Sequence, residues 1–164
     1  MGKKEFILDQ LAVCRNEESW IQPLSKALEG LSGEEASWKP ESDAHSAAEI
    51  ASHLNFYNNR WLGRFEGEIP DGPPDTNAST FMPLPEPVEE NWRKLVKELD
   101  EGLARWQQLI EESNEESLDG QIPGFPEDAK WWEALSNLCT HNAYHIGQII
   151  FVRKLQRKWK STEI

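Results

Sequence analysis

The stretch Thr140-His141-Asn142-Ala143-Tyr144-His145-Ile146-Gly147-Gln148-Ile149 sets two imidazoles four residues apart, in a segment free of proline from Trp131 to Trp159. In a helix, residues four apart stand one turn above the other. Ala134, Leu138, Ile149 and Val152 share that face, so both rings point into whatever the helix packs against. A buried imidazole without a partner costs about 1–3 kcal/mol in desolvation, and a pair needs two sets of partners. A metal ion satisfies both through one ring nitrogen each. The alternative is two core histidines hydrogen-bonded to carbonyls or carboxylates. The pair is not a zincin motif, because position 142 is Asn where such a protease carries its glutamate base.

A third ligand must come from another element, and His53 is the candidate. Ser46-Ala47-Ala48-Glu49 matches a capping box that opens a helix, whose apolar stripe is Ala47, Ile50, Leu54, Tyr57 and Trp61. His53 lies at the edge of that stripe, in mid-helix, and mid-helix positions on two packed helices can meet at one level. Three neutral imidazoles leave a coordination position open, as catalytic rather than structural sites do. The alternative for His53 is a carbonyl partner or a place at the rim. Glu49, one turn earlier, could orient His53, although capping competes for it. Asn137 and Gln148 border His141 and could orient that ring. Tyr57 and Trp61 read as core or as pocket walls over the metal. His45 reads as surface or locally hydrogen-bonded, because it precedes a helix N-terminus that disfavours a cation.

The elements that would position these residues follow from periodicity. Residues 4–32 read as helix, through Ile7, Leu11, Cys14, Ile21, Leu24, Leu28 and Leu31. Pro23 should kink it, or a new helix begins near Ser19. A loop is expected over 33–45 and a second helix over 46–65, ended by Gly67 and Pro70. Residues 66–86 are rich in proline and glycine and read as a functional loop or a long crossover. Pro87 suits a first helical position, and Val88, Trp92, Leu95, Leu99, Leu103, Trp106 and Ile110 carry a third helix to about Glu112. A second loop, 113–130, precedes the helix with the histidine pair. The fold class is all-α, a four-helix bundle with long loops 66–86 and 113–130, and the length suits one domain, 1–164.

The net charge of −12 argues against nucleic acid and anionic membranes as partners. No apolar run reaches spanning length, and the start lacks a signal-peptide core. Cys14 and Cys139 read as buried small hydrophobes, a disulfide between them being the lesser alternative. A cytoplasmic protein is expected.

His53 together with His141-Asn-Ala-Tyr-His145-Ile-Gly-Gln, followed by Arg153-Lys154 and Trp159, resembles the DinB-like (YfiT-like) metalloprotein superfamily. The resemblance covers nearly the whole chain, including the long crossover between helices two and three. It implies a four-helix bundle with a metal site at His53, His141 and His145. It also implies a homodimer acting on a small-molecule substrate. Some members look like metal-dependent hydrolases, and others are similar to bacillithiol- or mycothiol-dependent transferases. A divalent ion, zinc or nickel before others, is therefore expected, with water or a low-molecular-weight thiol co-substrate activated in the open position. Cys139 points away from His145, so the thiol would be external. The alternative from another class is a stress-associated metal-binding or structural protein without turnover.

Overall fold

The computed structural model describes residues 2–68 and 72–159. Four long helices carry it: α1 (Lys3–Arg15), α4 (Ala47–Phe65), α5 (Val88–Glu112) and α7 (Trp131–Leu155). Short helices α2 (Leu24–Leu28), α3 (Gly33–Ser37) and α6 (Glu115–Leu118) and a 3₁₀ turn (Asn77–Thr80) lie in the connections. Helix α4 packs on α5 and α7, and α1 packs on the same two. The four-helix bundle is thus a ring in which α1 and α4 are diagonal. Among the described residues the only β pairing is an isolated bridge, Gln121–Lys130.

The apolar stripes meet on the bundle axis. Leu11, Leu54, Leu99, Leu103, Trp106 and Ile149 are fully buried there. The two buried indoles in α5 also find acceptors, as buried polar atoms must: Trp92 Nε1 donates to the Leu31 carbonyl at 2.8 Å, and Trp106 Nε1 to that of Asn58 at 3.2 Å. Cys14 and Cys139 are free thiols buried between α1 and α7.

The first expected helix is two helices. Helix α1 ends at Arg15, residues 16–23 are not helical, and Pro23 is the N-cap of α2, so the chain breaks instead of kinking and restarts at Leu24, not near Ser19. Proline lacks the N–H that a helix interior needs, and a cap position does not. The expected loop 33–45 contains α3, opened by a full capping box in which Glu35 N donates to Ser32 Oγ and Ser32 N to Glu35 Oε2. Pro87 stands one position outside α5, as its N-cap. Pro70, expected to help end α4, lies outside the described residues, as do residues 160–164 of the expected domain.

Candidate metal centre

Helix α4 begins where the sequence sets its cap. Glu49 N donates to Ser46 Oγ at 3.1 Å and Ser46 N to Glu49 Oε2 at 2.9 Å. That start puts His53 inside the bundle, facing α7, where His141 and His145 sit one turn apart. His53 and His145 are buried and His141 half-buried. One ring nitrogen from each of the three lies within 4.8 Å of the others, and His53 Nε2 stands 3.0 Å from His141 Nε2.

The outer nitrogens decide which atoms face the centre. His53 Nδ1 lies 2.6 Å from Thr80 Oγ1, whose own hydroxyl donates to the Asn77 carbonyl at 2.6 Å. With that one hydrogen committed, Thr80 accepts from His53 Nδ1–H, so His53 Nε2 carries a lone pair. His145 Nδ1 is 2.7 Å from Gln148 Oε1, an amide oxygen that only accepts, so His145 Nε2 also carries a lone pair. Without a cation, His141 Nε2–H can donate to His53, and no described residue donates to His145 Nε2. A cation between the rings satisfies all three nitrogens, and the donor set fits it.

Burial pushes the His53 pKa down to about 4, with His145, His141 and His45 adding to the effect. Burial, then His145, pushes His141 down to about 4. His145 is lowered by burial against the opposing bond to Gln148, with His45 adding to the lowering. Near neutral pH the cluster therefore offers lone pairs, not charges. In the metal-free protein the sign of the linkage follows: the unfolded chain takes up protons near pH 6.5, which the folded rings refuse until about 4. Stability should be full above 6.5 and fall as the pH drops towards 4. Denaturant midpoints of the chelated protein across that window check it, and a flat profile there would refute it.

Aromatic rings close over the cluster. Phe81 is sandwiched between two imidazoles, with its centroid 4.0 Å from His45 and 4.0 Å from His53 and the planes within 8° and 12° of parallel. Tyr57 meets His53 and His141 edge-on, and its hydroxyl donates to Asn77 Oδ1 at 3.0 Å. A cavity of about 570 Å³ opens beside this cluster, with Tyr57, Trp61, Asn137 and His141 in its wall.

The supporting residues differ in part from those expected. Glu49 does not reach His53. Its carboxylate is engaged by Ser46, by Lys39 Nζ at 2.7 Å and by His45 Nδ1 at 3.6 Å. Thr80 takes the place foreseen for it. Gln148 orients His145, not His141. Asn137 lines the cavity next to His141 and makes no hydrogen bond to that ring. His45 is exposed, as expected, but its stack on Phe81 ties it to the site. Thr80, Phe81 and Phe125 were not foreseen.

Thr80→Val keeps the shape of the side chain and removes the acceptor for His53 Nδ1–H. Metal affinity should fall about 10–100-fold, the usual effect of losing such a partner, with little change in helicity. Titration with a chromogenic zinc chelator reads it.

The DinB superfamily profile matches residues 16–149. The chain belongs to the DinB superfamily. No curated protein and no solved structure matches it. In this DinB-superfamily chain the matched span contains all three histidines, Thr80 and Gln148, and it starts just after α1.

Proposed function

We propose that this DinB-superfamily protein is a metal-dependent enzyme in which His53, His141 and His145 hold a divalent ion, zinc or nickel, and leave a position for a small-molecule substrate. The observation that carries this reading is that three imidazoles converge on one point and one of them, His141, also forms part of the wall of a 570 Å³ cavity. A closed structural site has four protein ligands, and three are gathered here among the described residues. The bound ion supplies Lewis acidity, which polarises and acidifies an oxygen or sulfur ligand in the open position.

The chain's own groups do the rest. Thr80 and Gln148 fix the tautomers of His53 and His145, and burial keeps the imidazoles neutral. Phe81 and Tyr57 keep water off one side of the cluster. Neither cysteine belongs to the cluster, and Cys14 Sγ donates to the Cys139 carbonyl at 3.4 Å. A thiol reaction therefore uses a low-molecular-weight thiol from solution, and the same site serves a hydrolase using water. The working form in this reading is one domain, 1–164, in a cytoplasmic homodimer that draws on the exposed Tyr144, Phe151 and Leu155 of α7. No helix among the described residues is long and apolar enough to cross a membrane.

The test is two assays on zinc- and nickel-loaded protein: conjugation of a small thiol to monochlorobimane, and ester hydrolysis without thiol. Metal-dependent turnover in the first supports the transferase, and in the second the hydrolase. Absence of both, with either metal and with bacillithiol or mycothiol as the thiol, would overturn the enzyme reading.

A further inference from the structure

We infer that the cavity beside the histidines receives a planar aromatic ring on an uncharged substrate. This deepens the enzyme reading and rests on it only for which end of the substrate reacts, not for the binding itself. At about 570 Å³ the cavity falls within the usual range of small-molecule sites. Its walls are rings: Trp61 and Phe125 stand with centroids 5.5 Å apart and planes tilted by 37°, and Tyr57 and His141 complete the histidine end. Ile122, Leu138 and two alanines add aliphatic surface to the lining.

The aromatic wall is held in place. The Arg64 guanidinium lies 5.0 Å from the Phe125 centroid and 5.8 Å from that of Trp61, and its Nη1 donates to the Pro123 carbonyl at 2.7 Å. One cation thereby ties the 119–130 connection to α4. Gly124, at φ +81°, turns the chain just before Phe125. The lining carries one cation, Lys130, and one anion, Glu133, and the remaining polar side chains apart from Tyr57 and His141 are the neutral amides Asn77 and Asn137. In the metal-free protein a lining of zero net charge gives no overall preference for a charged ligand. Tilted rings favour a flat aromatic guest, through offset-stacked and edge-to-face contacts, over a flexible chain of equal size.

The full chain, stripped of metal with a chelator, is titrated calorimetrically with 2-naphthol and with 1-octanol. One-site binding of 2-naphthol, about tenfold tighter than of 1-octanol, is expected. Phe125→Leu, which keeps bulk and removes the ring, should erase that preference. Phe125 is 40% exposed, so the variant should fold. Trp61→Phe should retain the preference, and Trp20→Ala, at an exposed position in the 16–23 segment, should leave both affinities unchanged. Equal affinity for the two alcohols, no saturable binding, or indifference to Phe125→Leu would overturn the inference. Naphthol binding in a protein that takes up neither zinc nor nickel would sink the enzyme reading and leave this one standing. Zinc uptake without naphthol binding would do the reverse.

Discussion

Replacing any one of His53, His141 or His145 by alanine should lower bound zinc or nickel from one equivalent per chain to below about a tenth, because two imidazoles do not hold a divalent ion against dilution as three do. The cluster is all-or-none in this respect, since no carboxylate or thiol stands with the three rings among the described residues. The fold should survive each change. Alanine at 141 removes a half-buried ring, and alanine at 53 or 145 leaves Thr80 or Gln148 short of a donor, a cost of about 1–3 kcal/mol. His45→Ala is the control. It removes a ring stacked on Phe81 and a contact to Glu49 but no member of the cluster, so metal content should stay at one equivalent. Mass-spectrometric metal analysis after gel filtration, with circular dichroism on the same samples, reads both quantities. Metal that persists after the loss of any one histidine would remove the site from these residues.

Why some of this was legible in the sequence and some was not has physical reasons. The bundle and the facing of His53 towards His141 and His145 follow from 3.6-residue periodicity and from one capping box, and both signals are local. The break at Pro23 is also local, but the apolar positions continue through it, and periodicity alone does not say whether a proline kinks a helix or caps the next. Helix α3 is signalled by Ser32-Gly33-Glu34-Glu35, a capping box as good as that of α4, but five residues carry no apolar stripe for periodicity to report. Gln148 stands three residues from His145 and seven from His141. Side chains three apart on a helix are neighbours, so the ring it orients was readable from spacing. Glu49 is equally one turn from His53, yet its cap and Lys39 hold it. Competition between partners is settled by tertiary contacts, which spacing does not contain. Thr80 is the least legible residue, because its approach to His53 spans 27 positions through a connection without periodicity. Only Thr76-x-x-Ser79, which caps the 3₁₀ turn, marked that part of the connection as ordered.

Asn142→Leu should destabilise the protein by about 1–3 kcal/mol and weaken metal binding, although neither Asn142 nor its partner belongs to the cluster. Asn58 and Asn142 are 1% and 0% exposed and face each other between α4 and α7. Asn58 Nδ2 donates to Asn142 Oδ1 at 2.9 Å, and Asn142 Nδ2 to Asn58 Oδ1 at 3.0 Å. Each amide also donates to the carbonyl four residues back on its own helix, Leu54 and Leu138, at 2.8 Å. The pair thus closes a ring of hydrogen bonds across the two helices that carry the metal ligands. Leucine at 142 strands the Asn58 amide oxygen in an apolar layer, which is the source of the destabilisation. The double variant Asn58→Leu, Asn142→Leu removes both polar groups and should recover most of that loss, since buried polar pairs often give way to apolar ones without net cost. Metal affinity should not recover. Leucines tolerate small axial slides that reciprocal amide bonds forbid, and His53 must meet His141 and His145 at one level. An affinity at least about tenfold below that of the parent is expected in the double variant, read by competition with a zinc chelator, beside a denaturation midpoint close to the parent's. A double variant that binds metal as the parent does would show that ordinary packing of α4 on α7 sets the level of the three rings without help from the amides.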